Sequence, residues 1–276
     1  MTGFTRASED VPPPVELGVI GGSGLYALLD DARETHVETP YGPPSAPLMI
    51  GSVGGRRVAF LPRHGRDHRF PPHRVPYRAN LWALRSVGVR QVLAASAVGG
   101  LTTRHAPGSV VVPDQLVDRT RRSQTFHDER GVHVAFADPY CADGRAAVLA
   151  TAGRTGVEVV DGGTLVVVEG PRYSSRAESQ WYAAQGWTLI GMTALPEASL
   201  ARELAVCYTT VALVTDLDAG VDAGTGVTHA EVLETFATHL PRVRELVLAS
   251  LAALPAERDC ACSHALDGLE TALDPA

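Results

Sequence analysis

The stretch CYTTVALVTDLDAG, residues Cys207 to Gly220, begins as an apolar, β-branched run and ends with two carboxylates, Asp216 and Asp218. Such a run is typical of a strand buried on both faces, whereas Asp and Gly at its end are typical of a turn. Because side chains alternate along a strand, Asp216 and Asp218 point to the same side and face one common space. They therefore either share a ligand or face water in an ordinary turn.

Similar apolar runs recur along the chain and are interleaved with stretches of helical spacing. The predicted strands cover residues 15–22, 46–62, 89–100, 108–118, 163–171, 187–193 and 207–216, with a Gly-Gly turn at the centre of the second. The predicted helices cover residues 77–88, 143–156, 174–186, 195–205 and 228–254. In the last helix, Thr228 and Glu231 have the spacing of a capping box, and Pro241 predicts a kink.

This alternation indicates an α/β protein with one three-layer domain, in which a mixed β-sheet is flanked by helices. We assign residues 1–14, which are polar and Pro-rich, to a loose N-terminal arm, residues 15–255 to the domain, and residues 256–276 to a C-terminal tail. In open α/β sheets, ligands bind beyond the carboxyl ends of the strands. Polar residues follow several of the predicted strands, so this edge of the sheet is the expected site.

The composition excludes several classes of protein. The chain has 276 residues and 20% charged residues, and no apolar run approaches the roughly 18 to 20 residues that span a bilayer. Its N-terminus has no apolar signal core, so we expect a cytoplasmic protein without membrane contact. All 24 basic residues are Arg, which excludes lysine Schiff bases and Walker-type phosphate loops. The net charge of -7 argues against nucleic-acid binding.

Glycines and Ser23 directly follow the first predicted strand, in the stretch GVIGGSGLYA. Their backbone N–H groups and the Ser23 hydroxyl would suit an anion. The spacing Gly22-x-Gly24-x-x-Ala27 also matches a dinucleotide-binding fingerprint, but the loop-like stretch ETHVETPYGPPSAP stands where the next strand of such a fold belongs. A small anion is the favoured ligand here.

Basic residues follow the second predicted strand, in FLPRHGRDHRF. Arg63 can grip a phosphate through two N–H groups, and a protonated His64 can donate a charge-assisted hydrogen bond. For Arg66 and Arg69 a solvated basic surface is the favoured interpretation. A third strand end, ASAVGG, supplies Ser96 among small residues that admit either a ligand or tight core packing.

The four cysteines are Cys141, Cys207, Cys260 and Cys262. A Cys-Ala-Cys stretch near the end of the chain fits no common zinc spacing, so we expect no metal site. A redox or disulfide role stays open.

Taken together, IGGSGLY, ETPYG, RHGRDH, PYRANLWAL, EGPRYSSRAES, MTALPEA and VTDLD resemble the motifs of the 5'-methylthioadenosine phosphorylases, within the trimeric purine nucleoside phosphorylase family. The motifs follow the family order from about residue 17 to residue 240. The resemblance implies a nucleoside phosphorylase-like fold for residues 15–255, a homotrimer, and no cofactor besides inorganic phosphate as co-substrate. It implies a phosphate site at Ser23, Arg63, His64, Ser96, Ala97 and Thr193, and a nucleoside site at Met192, Tyr173, Ser174, Asp216, Asp218, His229 and, from a neighbouring subunit, His133.

The same resemblance implies a role for the paired carboxylates. Phosphorolysis builds negative charge on the departing purine, and a protonated Asp216 would donate to N7 as general acid if burial or Asp218 raises its pKa. The 6-oxopurine enzymes of the family have an Asn at this position. A carboxyl group accepts from a 6-amino group, so Asp216 favours adenine.

Two positions depart from the family pattern. His229 stands where methylthioadenosine phosphorylases place a small apolar residue, and where relatives that use a 5'-hydroxyl have a His. It either contacts the 5' group or points to solvent from the first turn of the last helix. Gly191 replaces the Asn of an NMT motif, as in the 6-oxopurine enzymes.

The implied reaction is the phosphate-dependent conversion of 5'-methylthioadenosine to adenine and 5-methylthioribose 1-phosphate. His229 keeps open a phosphorylase of adenosine, of another 5'-modified adenine nucleoside or of methylthioinosine. A nucleoside-binding module without turnover and a nicotinamide-dependent oxidoreductase are the alternatives from other classes.

Overall fold

The computed structural model describes residues 14–22, 29–222 and 226–270, and eleven strands within them form one mixed β-sheet. The strands are β1 (Leu17–Gly21), β2 (Asp30–Thr35), β3 (Leu48–Val53), β4 (Arg56–Pro62), β5 (Gln91–Gly100), β6 (Val110–Val112), β7 (Gln115–Arg119), β8 (Val159–Asp161), β9 (Thr164–Val168), β10 (Leu189–Gly191) and β11 (Cys207–Leu217). The helices are α1 (Tyr77–Ser86), α2 (Ala142–Thr155), α3 (Arg176–Ala184), α4 (Ala194–Glu203) and α5 (His229–Ala253).

The sheet is organised around β5. Strands β1 and β11 run parallel to it, and β10 pairs antiparallel with its last residues, Gly99 and Gly100. Beyond β1 the order is β4, β3, β2, and beyond β10 it is β9, β7. The carboxyl ends of β1, β5 and β11 therefore meet at one edge of the sheet, where the sequence predicts the site.

Helices cover both faces of the sheet, because the buried strands are apolar on both sides. In β5, Val92 and Ala94 pack into the core that contains residues of α1 and α4, whereas Leu93 and Ala95 pack into the core that contains residues of α2 and α5. This alternation is the period of a strand. The predicted three-layer α/β fold with a mixed sheet is confirmed.

The predicted turn and caps are present. Val53 pairs with Arg56 across the Gly-Gly turn of the β3–β4 hairpin. At the start of α5, the Thr228 side chain accepts from the Glu231 N–H and the Glu231 side chain accepts from Thr228, which is a capping box. Helix α5 then runs for 25 residues through Pro241, so this proline does not end it.

Three local features differ from the prediction. The stretch 108–118 is divided into β6 and β7 by residues 113 and 114, because Pro113 has no N–H to donate to a ladder. Strands β2 and β8 are not predicted. Strand β2 has the polar sequence DDARET, is held at the sheet edge by pairing with β3 alone, and extends into the stretch expected to be a loop.

The two ends of the chain differ in what the structure describes. Residues 1–13 of the predicted arm lie outside the described residues. The predicted tail, up to residue 270, packs against the domain: Arg258 Nη1 donates to Ala205 O at 2.9 Å, and Cys262 is buried. Within the part of the chain that the structure describes, no helix combines the length and apolar character needed to cross a bilayer.

Candidate active site

The carboxyl-terminal half of β5 forms the floor of the site. Ala97 is the one exposed residue of this otherwise buried strand. Gly99 has no room for a side chain, since a Cβ there would lie 2.9 Å from Ile190 Cγ2 and 3.0 Å from Asp216 Oδ1. An opening over small residues at the centre of a sheet lets a ligand approach the backbone.

A bulge in β11 sets the direction of the paired carboxylates. The register with β5 shifts between Val214 and Asp216, which leaves Thr215 as the extra residue. Asp216 then faces Gly99, and Asp218 Cβ lies 3.6 Å from the same Cβ position of Gly99. Asp216 and Asp218 therefore lie next to each other beside Gly99.

Asp216 has the electrostatic properties of a general acid. Burial raises its pKa to about 6, and the charges of Asp218 and Glu231 act in the same direction. The Thr215 hydroxyl opposes the shift, since its Oγ1 lies 2.8 Å from Asp216 Oδ2. The carboxyl group is therefore partly protonated in the neutral pH range, as proton donation to a leaving group requires.

Asp218 is the more deeply buried of the two carboxylates. It is 3% exposed, and its Oδ2 atom has no hydrogen-bond partner among the described residues. Burial raises the pKa of Asp218, and the hydroxyl groups of Ser174 and Ser179 oppose this shift. A buried oxygen without a partner costs free energy unless a ligand supplies a donor.

Arg63 is held in a buried ion pair that the sequence analysis missed. Its Nε and Nη2 donate to Glu197 Oε1 and Oε2 at 2.6 and 3.0 Å, and its Nη1 donates to Ala95 O at 2.8 Å. Tyr208 completes the arrangement by donating its hydroxyl to Glu197 at 2.7 Å. Arg63 thus uses three of its five N–H donors in hydrogen bonds to the protein, and the other two can bind an anion.

Glu197 also fixes the charge of Arg63. Burial alone would lower the pKa of Arg63, but the Glu197 carboxylate outweighs this effect and the pKa is raised. The guanidinium lies against Ala95, the residue before Ser96. A permanent cation therefore stands at the floor of the site.

His64 differs from the charged donor that the sequence predicts. Its Nδ1 lies 2.8 Å from Phe70 O, and because a carbonyl only accepts, Nδ1 carries the proton. Burial, followed by the Arg63 charge, lowers the pKa of His64 to about 4, so the ring is neutral near pH 7. Its Nε2 is then an acceptor, suited to the hydroxyl of hydrogen phosphate. A bound phosphate dianion would itself raise this pKa.

Two hydroxyl groups complete the predicted anion site. Ser96 is buried, and its Oγ has no hydrogen-bond partner among the described residues. Thr193 is the N-cap of α4, but its side chain makes no capping hydrogen bond. The Ser96 hydroxyl is therefore available to a ligand, and Thr193 places a second hydroxyl at the N-terminus of a helix, a position that favours anions.

We predict that Ser96→Ala weakens phosphate binding without weakening the fold. The change removes a hydroxyl that has no protein partner, so the free energy of unfolding should not fall. A hydrogen bond to a charged group contributes about 1.5–3 kcal/mol, so the KM for phosphate should rise by roughly 10- to 100-fold. Steady-state kinetics at varied phosphate and thermal unfolding are the two measurements.

Ser250→Ala is the matched control for this prediction. Ser250 Oγ is likewise buried without a described partner. It lies 21 residues beyond His229 on α5, about 30 Å at roughly 1.5 Å per residue. A phosphate KM that changes equally in both variants would contradict a direct role for Ser96.

A second residue missed by the sequence analysis, Arg122, organises the wall beside the anion site. Its Nη1 donates to Met192 O at 2.7 Å and to Leu195 O at 3.0 Å, and its Nη2 donates to Glu169 O at 2.6 Å. The Met192 sulfur lies 2.6 Å from the position of a Cβ on Gly170, so this glycine makes room for the methionine. Arg122 thus fixes two of the segments on which predicted nucleoside ligands lie.

Tyr173 and His229 lie next to each other. Tyr173 Oη is 3.4 Å from His229 Nδ1. Burial, followed by the proximity of His229, lowers the pKa of His68, whose ring stacks on that of His64 with the centroids 4.4 Å apart. His229 is exposed at the first position of α5. It therefore borders the predicted nucleoside site and is open to solvent at the same time.

Two of the remaining candidates, Ser23 and His133, are not placed at this site by the described residues. Ser23, together with Gly24 and Ala27 of the alternative fingerprint, lies outside the described residues. His133 is exposed and lines a surface depression with Arg130 and Leu269, separate from the residues around β5.

Arg66 and Arg69 are exposed, Arg66 pairs with Glu34, and Arg69 lies over the Phe70 ring, as expected of a basic surface. Gly191 is buried, and a Cβ there would lie 3.3 Å from Leu165 Cδ1 and 3.4 Å from Val98 Cγ1. A side chain at this position would therefore require Leu165 or Val98 to shift by a few tenths of an ångström.

The fold and the site define a class: an α/β protein in which an anion site and a carboxyl group able to donate a proton share one edge of a mixed sheet. The chain matches the Phosphorylase superfamily over residues 16–252 and belongs to this family.

Relatives and solved structures agree with this assignment. The chain is 60% identical to a purine nucleoside phosphorylase of Streptomyces coelicolor over 92% of this chain and 95% of that protein. It is also 60% identical to an S-methyl-5'-thioadenosine phosphorylase of Mycolicibacterium smegmatis over 88% of this chain and 93% of that protein. A crystal structure of a methylthioadenosine phosphorylase from an antarctic soil metagenomic library superimposes with a TM-score of 0.87 at 37% identity, covering 92% of this chain and 91% of that one.

Proposed function

We propose that this chain cleaves the N-glycosidic bond of 5'-methylthioadenosine with inorganic phosphate, giving adenine and 5-methylthioribose 1-phosphate. The observation that carries the proposal is the position of Asp216, a half-buried carboxyl group with a pKa of about 6, on the strand next to the β5 anion site. Relatives named S-methyl-5'-thioadenosine phosphorylase, at 44 to 60% identity, support the choice of substrate.

The site residues act on two parts of the substrate, the ribose C1' and the purine. Phosphate, held by Arg63, Ser96 and Thr193, attacks C1' as the C1'–N9 bond breaks. Negative charge moves onto the purine, and the Asp216 proton passes to N7, which leaves neutral adenine and an ionised Asp216. Preorganised groups that meet charge where it develops supply much of the rate enhancement in such sites.

The pair of carboxyl groups also explains a preference for adenine. A carboxyl oxygen of Asp216 or Asp218 that carries no proton accepts a hydrogen bond from a 6-amino group, whereas a 6-oxo group facing that oxygen would meet an acceptor. A polar mismatch in a buried site discriminates by up to roughly 10⁴- to 10⁵-fold. The buried, unpartnered Asp218 Oδ2 strengthens this argument.

His229 is expected to affect the 5' group of the substrate. Because it borders Tyr173, we predict that His229→Leu lowers kcat/KM for adenosine by about tenfold, the value of one hydrogen bond, and leaves methylthioadenosine nearly unchanged. Kinetics on both nucleosides measure the ratio. Tyr173→Phe, which removes only the hydroxyl next to His229, is the companion variant. Equal losses on both substrates would contradict a contact with the 5'-hydroxyl.

The family resemblance adds an assembly to the proposal: the enzyme works as a homotrimer, in which His133 of one subunit closes the site of its neighbour. The N-terminus without an apolar signal core favours a cytoplasmic location. Inorganic phosphate is the enzyme's co-substrate, and the enzyme needs no cofactor. The exposure of His133, away from the β5 site of its own chain, supports a role toward a second subunit.

The proposed function is tested by substrate comparison. The purified protein is incubated with methylthioadenosine, adenosine, methylthioinosine and inosine, each with and without phosphate, and the released base is quantified by chromatography. Phosphate-dependent adenine release, fastest from methylthioadenosine, is the expected result. Faster release from adenosine would favour the alternative nucleoside, and binding without product would indicate a nucleoside-binding module.

A further inference from the structure

The four cysteines, separated by up to 121 residues of sequence, meet at one point of the fold. Their sulfur atoms all lie within 4.8 Å of one another, and all four are free thiols. Cys141 is the N-cap of α2, Cys207 begins β11, and Cys260 and Cys262 lie in the tail. The spacing of Cys-Ala-Cys alone gave no sign of this, because the other two ligands come from distant elements.

The geometry of the four sulfurs fits a tetrahedral ion. With a Zn–S bond of about 2.3 Å, two sulfurs of a tetrahedral site lie about 3.8 Å apart. Cys207 Sγ lies 3.3 Å from Cys260 Sγ, and no two of the four sulfur atoms are more than 4.8 Å apart. Movements of about half an ångström would therefore bring the cluster to the coordination distance.

The surroundings of the cluster suit a negatively charged metal–thiolate group. Zn²⁺ with four thiolates has a net charge of −2, and two guanidinium groups touch the sulfurs: Arg202 Nη2 lies 3.7 Å from Cys262 Sγ, and Arg258 Nη1 lies 3.7 Å from Cys207 Sγ. N–H donors to the ligand sulfurs are typical partners of such sites. The buried Cys141, Cys207 and Cys262 exclude solvent from three of the four ligands.

We propose that Cys141, Cys207, Cys260 and Cys262 bind one structural zinc ion, which fastens the C-terminal tail to the start of β11. The four thiols release their protons when the ion binds, because the thiolate is the ligand form. The site is separate from the catalytic one: Cys207 and Asp216 lie nine positions apart along β11, about 30 Å in an extended strand. The expectation of no metal site is replaced by this proposal.

The first test needs no variant. The full chain is purified without reductant or added metal and exchanged into metal-free buffer. Its metal content is measured by plasma mass spectrometry, while denaturing intact mass spectrometry counts the free thiols. About one zinc ion per chain is expected. Replacement of zinc by Co²⁺ should give the visible absorption bands of a tetrahedral thiolate site. A chain without bound metal, or one that has lost the hydrogens of paired cysteines, would overturn the proposal.

Variants then assign the ligands. In the double variant Cys260→Ser, Cys262→Ser, the zinc should be lost and the tail should become sensitive to proteolysis. The rate of methylthioadenosine phosphorolysis should equal that of the wild type. His264→Gln is the control, because His264 is an exposed residue of the same tail that pairs with Asp259 and Asp267 outside the cluster. Retention of one zinc ion by the double variant would show that the metal binds elsewhere and contradict the assignment.

Discussion

Asp216→Asn is expected to slow the phosphorolysis of methylthioadenosine by roughly 10²- to 10⁴-fold, the range that a general acid contributes. The amide can form a hydrogen bond to N7 but cannot transfer a proton, so the purine leaves as an anion. The change is nearly isosteric, and Thr215 and Gly99 keep their positions. The loss should therefore appear in kcat, measured with both substrates saturating.

The ionisation of Asp216 determines how kcat/KM depends on pH. The active form is the protonated Asp216, whose pKa burial raises to about 6, so kcat/KM should fall as the pH rises above about 6. In Asp216→Asn this fall should disappear. Thr215→Val is the informative control: the Thr215 hydroxyl lowers the pKa of Asp216, so its removal should move the fall in activity to higher pH. A flat profile in the wild type, together with a mild effect of Asp216→Asn, would contradict the general-acid role.

The same variant tests base selection. An Asn at position 216 can donate to a 6-oxo group, so Asp216→Asn should cleave methylthioinosine better relative to methylthioadenosine than the wild type does. The ratio of kcat/KM for the two nucleosides is the measurement. An unchanged ratio would assign the choice of base to Asp218 or to other residues of the site.

Glu197→Gln is expected to cause the largest loss of stability. It leaves the Arg63 guanidinium, which is 3% exposed, without its counter-charge, and breaking a buried ion pair in this way costs about 3–5 kcal/mol of unfolding free energy. The new amide group also places a donor against the Tyr208 hydroxyl or Arg63. At about 2–4 °C per kcal/mol, the melting temperature should fall by roughly 10 °C.

Phosphate should restore part of this stability, because an anion on Arg63 replaces the lost carboxylate. The increase in melting temperature on adding phosphate is therefore expected to be larger in Glu197→Gln than in the wild type. Glu203→Gln is the matched control on the same helix, where Glu203 is buried and, among the residues that the structure describes, accepts only the Phe126 N–H at 2.7 Å. Equal phosphate effects in all three proteins would contradict the placement of phosphate on Arg63.

The sequence predicts those parts of the fold that depend on local pattern. The alternation along β5 and β11, the Gly-Gly hairpin and the capping box at Thr228 are short-range features, and each is present. The paired carboxylates are also local, because two positions on one strand share a side. The polar edge strand β2 has no such pattern, since pairing with β3 rather than burial holds it.

The rest of the site depends on contacts between distant residues. Arg63 and Glu197 are 134 positions apart, so neither local spacing nor residue type shows that they pair. The charge of His64 depends on burial and on the Phe70 carbonyl, which a sequence does not display. The cysteine cluster is of the same kind, as its four ligands come from three separate regions of the chain.

The contacts of Arg122 have a consequence for the design of new substrate preferences. One side chain joins the start of α1, through Tyr77 Oη at 2.9 Å, to the segments at Glu169 and Met192. A loop transplanted from a relative to recognise another nucleoside would replace backbone carbonyl groups to which Arg122 donates. The transplanted loop must therefore place its backbone carbonyl groups where Arg122 can donate to them. Otherwise Arg122 and the other two segments that it contacts must be replaced together with the loop.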